Sequence, residues 1–208
     1  MKDRNMIAII DYGMGNIHSV HKALQLFGAE VCVTNKPKEI LSADKLVLPG
    51  VGAFDDAMGE LNKQGLISPI KEQIKKGKPF LGICLGMQLL FEESEEAKAS
   101  RGLGILKGKV KRFPKAKGLK VPHMGWNQLN NISQGCPLLK DVPESSYVYF
   151  CHSYYPEPSG DDTIAARTVY GGDFASVVWK DNVFGAQFHP EKSQKAGLKM
   201  VENFVKLC

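Results

Sequence analysis

Short apolar runs separated by amphipathic segments constrain the fold of this 208-residue chain more than any other feature. In the first half the runs are MIAIID (6–11), VCVT (31–34), KLVLPG (45–50) and PFLGIC (79–84). Their length and apolar content are typical of strands buried on both faces of a parallel sheet. Residues 16–28 and 55–79 lie between them, with apolar residues at helical spacing. The alternation predicts strands joined by crossover helices.

The second half of the chain is dominated by strand and turn patterns. From about residue 104, strand character is found in residues 104–113, 146–155, 163–182 and 183–190, which we expect to be antiparallel or mixed. Residues 195–207 predict a closing helix, and residues 92–102 an exposed, mobile segment. The expected fold class is α/β, an open, largely parallel sheet with flanking helices and a β-rich second half, in one domain over residues 1–208. A ligand of such a fold binds outside the carboxyl ends of the parallel strands.

Charge and cysteine content exclude several classes of protein. The net charge is +5, and the 27 Lys and Arg residues are scattered among 22 acidic ones, which disfavours a nucleic-acid platform. The five cysteines form no CxxC pair. The apolar part of the N-terminal stretch MKDRNMIAIIDYG is too short for a signal peptide or a membrane span. We therefore expect a cytoplasmic protein that binds neither nucleic acid nor membrane.

Cys84 stands between two glycines, Gly82 and Gly86, where the fourth apolar run gives way to a helix-like pattern. Glycines on both sides permit a tight strand-to-helix turn that exposes the side chain, as in a nucleophile elbow. Helix N–H groups aimed at the sulfur would favour the thiolate. A small buried hydrophobic residue at a glycine-rich strand end explains the same pattern equally well, so Cys84 needs a base nearby.

His189 is the best candidate for that base. It ends a predicted strand in FGAQFHPEKS (184–193), and Glu191 follows two residues later, on the same side of an extended segment. Glu191 could then hold the imidazole in the tautomer that accepts the thiol proton. A plain strand-ending turn is the alternative for this motif taken alone.

The spacing of the remaining histidines and cysteines does not indicate a second site. His18 and His21 are expected on the surface of the first helix, and His123 and His152 lack metal-ligand spacing. Cys32 is expected in the core. No metal and no cofactor is assigned.

The stretch LPGVGAFDDAM (48–58) is a second strand end followed by glycines and a helix start. Its small residues leave backbone N–H groups free to point inward. Next to the elbow, such a loop can supply one donor of an oxyanion hole, with the amide of Leu85 as the other, and one donor is worth about 2.7–4 kcal/mol. A plain glycine-rich turn is the alternative.

The motifs PGVG (49–52), GICLGMQLLFE (82–92) and FHPEKS (188–193), in this order, resemble those of the triad-type class I glutamine amidotransferases. Within that family, DYGMGNIHSV (11–20), FEESEE (91–96), PHMGWN (122–127) and YFCHSYY (149–155) are similar to the glutaminase subunits of imidazole glycerol phosphate synthases. Sister glutaminases of purine, pyrimidine, anthranilate and pyridoxal phosphate synthesis share the triad but are not expected to carry PHMGWN. The resemblance covers essentially the whole chain.

The resemblance implies an activity and a set of site residues. Cys84 attacks the side-chain amide of glutamine, His189 passes the proton to the leaving ammonia, and Glu191 holds His189. The Gly50–Val51 peptide belongs to an oxyanion loop that can flip, and Leu85 supplies the other donor. The glutamine pocket consists of Gly52, Gln88, Glu96, Ser153 and Tyr154.

The resemblance also implies a partner, a (β/α)8-barrel cyclase that receives the ammonia and forms a heterodimer with the chain. The cyclase makes imidazole glycerol phosphate and AICAR in histidine biosynthesis, and the glutaminase depends allosterically on the nucleotide that the cyclase binds. The contact residues implied are Asn16, His123, Met124, Gly125, Trp126, Asn127, Tyr149 and Lys192. For Trp126, ordinary core burial is the alternative.

Two other classes of function remain open from the sequence. A cysteine hydrolase of the same broad fold, such as a peptidase or a deglycase, also uses an elbow cysteine. A non-catalytic binding subunit that kept the fold would usually have lost Cys84, His189 or Glu191, all of which are present.

Overall fold

A seven-stranded sheet forms the centre of the fold, in a computed structural model that describes residues 6–208. The first five residues, part of the N-terminal stretch considered above, lie outside the described residues. The strands are β1 Met6–Ile10, β2 Glu30–Thr34, β3 Lys45–Gly50, β4 Phe80–Cys84, β5 Glu93–Ser94, β6 Gly108–Arg112, β7 His123–Gln128, β8 Tyr147–His152, β9 Tyr154–Pro158, β10 Ile164–Val169, β11 Asp173–Lys180 and β12 Val183–Ala186. The helices are α1 Ile17–Gln25, α2 Pro37–Ser42, α3 Phe54–Lys63, α4 Ile67–Lys75, α5 Leu85–Gln88 and α6 Gln194–Lys206, with short 3-10 turns at Pro137–Leu139, Asp161–Thr163 and Pro190–Lys192.

The strand order of the main sheet is β10-β11-β12-β4-β3-β1-β2. Strands β2, β1, β3, β4 and β12 are parallel neighbours, and β11 and β10 extend the sheet antiparallel. Two small sheets, β5-β6-β9 and β7-β8, complete the second half. The predicted α/β class, with a largely parallel sheet and a β-rich second half, is confirmed.

Alternate residues of each central strand face opposite layers, as the pleat requires. In β1, Ile7 and Ile9 join a core with α1 and α6, whereas Ala8 and Ile10 join a core with α2, α3 and α4. Both faces of the sheet are thus covered, which is why these strands read as continuous apolar runs.

Some expectations about local structure were wrong. β2 is an edge strand, so its Val33 is 42% exposed and Cys32 is only half-buried, outside the core clusters. The helix after Cys84 is a single turn of four residues, because the chain turns away at Leu89. The turn is too short for a long helix dipole, and the Cys84 side chain at its N-cap makes no hydrogen bond to the N–H groups of its first turn.

The segment 92–102 is more firmly held than its composition predicts. The Asp55 carboxylate accepts hydrogen bonds from the backbone N–H groups of Lys98 and Ser100, at 2.7 and 2.8 Å. These bonds lower the pKa of Asp55. They tie the segment to the start of α3, at the edge of the cavity described below.

Three neighbouring parallel strands deliver the predicted catalytic residues to one edge of the sheet. β3 ends at Gly50, β4 ends at Cys84, and β12 leads through Gln187 to His189. Parallel neighbours end on the same side, so these residues meet although the sequence separates them widely. No helix within residues 6–208 is long and apolar enough to cross a membrane.

Candidate active site

Cys84 occupies a strained backbone position between β4 and α5. Its φ is 54° and its ψ is −110°, a left-handed conformation that residues with a Cβ rarely adopt. The flanking glycines permit the turn by close approach: a Cβ at Gly86 would overlap the carbonyl oxygen of Leu48, and one at Gly82 would lie 2.6 Å from the carbonyl oxygen of Gly86. The elbow predicted from the sequence is therefore present.

His189 and Glu191 form a buried hydrogen-bonded pair. His189 Nδ1 lies 2.9 Å from Glu191 Oε1, and both side chains are almost fully buried. Burial opposes a charged imidazole, but the interactions with Cys84 and Glu191 outweigh it and raise the pKa of His189 to about 10. The raised pKa favours a positive imidazolium at neutral pH, in the cavity that His189 shares with Cys84.

Backbone contacts hold the histidine in place. The N–H of His189 donates to the carbonyl of Tyr149 on β8, at 3.0 Å, and Ser193 Oγ donates to the carbonyl of His189, at 2.6 Å. Ser193 Oγ in turn accepts from the N–H of Tyr149, at 2.9 Å. The base is thus positioned from both its own loop and β8.

A cavity of about 310 Å³ opens in front of Cys84. Its volume suits a small molecule of amino-acid size. The lining residues are Val51, Gly52, Cys84, Leu85, Gln88, Glu96, Pro122, Tyr149, Cys151, His152, Ser153, Tyr154, His189 and Lys192. All five residues predicted for a glutamine pocket are among them, together with the predicted nucleophile Cys84 and the predicted base His189.

Polar groups in the cavity are held by defined contacts. Glu96 Oε2 accepts from the N–H of Phe54 at 2.9 Å, and burial raises the pKa of Glu96. Both N–H donors of Gln88 are used within the protein, on the carbonyl of Tyr154 at 2.9 Å and on Gln187 Oε1 at 3.1 Å. Glu96 thus brings a carboxylate to the cavity wall, whereas both N–H donors of Gln88 are already used and only its oxygen is free of these contacts.

The predicted oxyanion loop lies beside the elbow. Val51 and Gly52 line the cavity, and Gly52 has a φ of 99°. Gly50 does not line the cavity: a Cβ there would lie 2.9 Å from Leu85 Cβ and 3.0 Å from the Gly86 nitrogen. The end of β3 therefore packs closely against the first turn of α5.

Comparison with known proteins identifies the family. Residues 8–208 match the family model described as glutamine amidotransferase class-I. The chain belongs to this family.

Several relatives of this amidotransferase are named imidazole glycerol phosphate synthase subunit HisH. The protein of that name from Methanocaldococcus jannaschii is 52% identical over 206 residues, covering 97% of this chain and 100% of its own. That of Caldanaerobacter subterraneus is 53% identical over 199 residues, covering 96% and 97%. That of Syntrophotalea carbinolica is 50% identical over 204 residues, covering 96% and 98%.

Solved structures support the fold of the amidotransferase. The structure of PurLQS from Thermotoga maritima aligns with a TM-score of 0.73 at 19% identity, over 97% of each chain. A glutamine amidotransferase from Thermotoga maritima aligns with a TM-score of 0.64 at 19% identity, over 90% of this chain and 76% of that one. At this identity the likeness concerns the fold alone.

Sequence reasoning missed a buried histidine pair behind the amidotransferase cavity. His123 Nδ1 lies 3.1 Å from His152 Nε2, and His152 Nδ1 lies 2.8 Å from the carbonyl oxygen of Tyr154. Since that carbonyl can only accept, His152 carries its proton on Nδ1 and accepts from His123 through Nε2. Asn127 Nδ2 then donates to His123 Nε2, at 3.3 Å. A chain of hydrogen bonds thus runs from β7 to the cavity wall.

Two further residues beside the sulfur were missed. Gln187 is fully buried, and its Nε2 donates to Cys84 Sγ at 3.8 Å. Cys151, on β8, lines the cavity, and its carbonyl oxygen lies 3.9 Å from Cys84 Sγ. Gln187 comes two residues before His189, so the i, i+2 spacing that pointed to Glu191 could have found it as well. The segment is not extended as expected, because residues 187 and 188 are bends and Glu191 lies in the 3-10 turn Pro190–Lys192.

The residues expected at a partner surface fall into two groups. Met124 is 62% exposed and Trp126 45%, and the Trp126 ring contacts that of Tyr149 with centroids 6.0 Å apart. His123, in contrast, is 4% exposed and faces the interior. The remaining members are Asn16, which caps α1 through Ser19, the half-buried Gly125 and Asn127, and the exposed, cavity-lining Lys192.

Proposed function

We propose that Cys84 hydrolyses glutamine to glutamate and ammonia. The sulfur attacks the side-chain amide carbon, the C–N bond breaks, and the proton held on His189 passes to the departing nitrogen, which leaves as ammonia. Water, deprotonated by His189, then cleaves the glutamyl thioester and returns the thiol. The observation that supports this reaction is a strained elbow cysteine in the same cavity as a carboxylate-bound histidine.

The cavity offers complementary groups for each part of glutamine. Glu96 faces the ligand ammonium, and backbone donors near Ser153 and Tyr154 face its carboxylate. Val51 and Leu85 supply the N–H donors to the oxyanion, beside Gly50 and Gly52. Gln88 fixes the wall by holding the carbonyl of Tyr154.

We further propose that the ammonia passes to a cyclase in the cytoplasm, as part of an imidazole glycerol phosphate synthase. The names of the relatives support this assignment. Ammonia released into water would be protonated and lost as a nucleophile, so the cavity must open toward a partner. The cyclase would be a (β/α)8 barrel in a heterodimer with this chain, which acts as one domain.

The contact surface of that partner is proposed around Met124 and Trp126. Two large apolar side chains exposed beside the cavity are typical of an interface. Tyr149 and Lys192, both at the cavity, would continue the surface, with Asn16, Gly125 and Asn127 at its edge. His123 would support the surface from inside.

Glutamate release tests the reaction and its coupling. We would measure it for the chain alone, with a histidine-pathway cyclase, and with that cyclase and its nucleotide, using Cys84→Ala as the blank. Activity that needs partner and nucleotide and is absent from the blank supports the proposal. No activity in a demonstrated complex contradicts the reaction, and activity indifferent to the cyclase contradicts the pathway.

The proposed surface can be tested separately with a matched pair of variants. Trp126→Ala should weaken cyclase binding by 10-fold or more, whereas Leu207→Ala, of similar exposure, should not. Leu207 is a suitable control because Lys45, at the start of β3, binds the carbonyls of Phe204 and Val205. The end of α6 therefore lies at the opposite edge of the sheet from the cavity. Equal binding by both variants would contradict the assignment of the surface.

A further inference from the structure

The hydroxyl of Tyr12 is buried without a hydrogen-bond partner. The side chain is 1% exposed, and its Oη finds no donor or acceptor among residues 6–208. Buried polar atoms without a partner are few in a folded protein, and each calls for a physical reason. Tyr12 lies in the stretch DYGMGN, of which the proposed function uses only Asn16.

The unpaired hydroxyl lies against the proposed oxyanion loop. Tyr12 follows β1, which pairs with β3, so it stands beside Gly50 at the carboxyl edge of the sheet. A Cβ at Gly50 would be 2.6 Å from Tyr12 Oη. Neither residue lines the cavity, whereas Val51 and Gly52 do. The hydroxyl therefore lies outside the cavity, against the end of β3 that leads into the loop.

Tyr12 keeps its proton under all ordinary conditions. Burial raises the pKa of the phenol, and the neighbouring Cys84 adds to the effect. The hydroxyl is therefore a donor, within reach of an acceptor at Gly50.

Planarity of the peptide group links this donor to the reaction. The N–H of Val51 and the carbonyl of Gly50 belong to one peptide plane and point in opposite directions. When the Val51 N–H faces the cavity to bind the oxyanion, the Gly50 carbonyl must face the other side, toward Tyr12. We propose that Tyr12 is a positioning residue of the oxyanion loop, whose hydroxyl donates to the Gly50 carbonyl in the reacting enzyme; this rests on the proposed glutaminase function.

The consequence is a hydrogen bond made in the reacting state and absent from the resting one. Such a bond favours the loop conformation that binds the oxyanion and does not stabilise the resting fold. Removing it should therefore reduce the rate without reducing stability. A purely structural tyrosine would show the reverse.

Tyr12→Phe in the cyclase complex tests the proposal, with Tyr155→Phe as the control. Tyr155 is a partly buried tyrosine that packs against Phe113 and Phe174. We expect Tyr12→Phe to lower kcat for glutamine about 5- to 10-fold with KM unchanged, and to leave the melting temperature equal or higher. The control should keep the wild-type kcat. An unchanged kcat, or a fall in kcat together with a fall in melting temperature, would overturn the proposal.

A second probe separates this proposal from the proposed function. Cys84 Sγ adds to the aldehyde carbon of glutamate γ-semialdehyde. In this adduct the former aldehyde oxygen occupies the oxyanion site. Tyr12→Phe should weaken this adduct by the same 5- to 10-fold. If the wild-type complex neither hydrolyses glutamine nor binds the aldehyde, the glutaminase function fails. If it does both and Tyr12→Phe equals it, only the role of Tyr12 is refuted.

Discussion

The buried histidines form two groups with opposite pKa shifts, His189 in one and the pair His123 and His152 in the other. His189 is 4% exposed, His123 4% and His152 5%, so burial is the same. The pKa of His189 is raised to about 10, whereas burial lowers that of His123 to about 4. Burial, with the charges of His123 and His189 adding to it, lowers the pKa of His152 to about 3. Equally buried histidines thus have pKa values shifted in opposite directions.

The difference comes from the partners of each ring. His189 has a carboxylate at 2.9 Å and a thiol beside it, and both favour a positive imidazole. His123 is stacked between Phe150 and Tyr170, with ring centroids 4.7 and 3.9 Å away, and its polar partners are His152 and Asn127. Because no anion is among these partners, desolvation determines the pKa of His123 and lowers it. One group is therefore suited to proton transfer and the other to fixed hydrogen bonds.

The largest effect is expected from Glu191→Gln, which removes the anion and keeps the shape. An amide donates to His189 Nδ1 and so favours the wrong tautomer, and we expect kcat to fall about 10²- to 10⁴-fold. The pKa of His189, followed by NMR, should fall from about 10 toward its ordinary value. Glu202→Gln, on the exposed side of α6, is the matched control and should keep the wild-type rate. A normal rate in Glu191→Gln would show that the carboxylate does not act on the base.

The charged group could be predicted from sequence because its signals are local. The elbow needs only Gly82, Cys84 and Gly86 in a row, and the orienting carboxylate follows the base by two residues. Short apolar runs placed Gly50, Cys84 and His189 at strand ends, and a parallel sheet brings strand ends together. The edge position of β2 could not be predicted, because strand order is set by packing between distant elements.

The neutral group could not be predicted because it depends on strand register. His123 and His152 are 29 residues apart and meet only because the antiparallel strands β7 and β8 pair them directly. HMGWNQ contains a glycine and lacks a continuous apolar face, so β7 was not predicted as a strand. Alternation in YVYFCH does place His152 on the inner face with Val148 and Phe150. The sequence therefore indicated that His152 faces inward, but it did not indicate that His123 is its partner.

A smaller effect, in acid, should come from the neutral pair. Unfolding raises the pKa of His123 and His152 from about 4 and 3 to their ordinary value near 6.5, so the unfolded chain binds more protons below that pH. Stability should fall by about 2 kcal/mol from pH 6.5 to 5.5 through these two rings. His189 acts in the opposite direction: its folded-state pKa is raised, so its stabilisation is present below about pH 6.5 and is lost as pH rises through 10. Urea unfolding at both pH values measures the effect.

The double variant His123→Leu/His152→Leu isolates that contribution. Its stability should fall much less than that of the wild type from pH 6.5 to 5.5. Its stability should still fall as the pH rises from about 6.5 through 10. If the wild type and the double variant lose the same stability between pH 6.5 and 5.5, the two rings are not neutral in the folded protein.

An effect of similar size on stability, and a small one on substrate binding, is expected from His152→Leu alone. The change leaves His123 Nδ1 without its acceptor inside the protein, and we expect a loss of about 1–3 kcal/mol in the free energy of unfolding. The Tyr154 carbonyl would be held by Gln88 alone, so the KM for glutamine should rise a few-fold with little change in kcat. His18→Leu, at an exposed position on α1, is the control and should change neither quantity.

The double variant should recover part of the stability, because removing both partners leaves fewer unpaired groups than removing one. A fall in kcat as large as that of Glu191→Gln would instead mean that the neutral pair takes part in proton transfer, and the contrast between the two groups would fail.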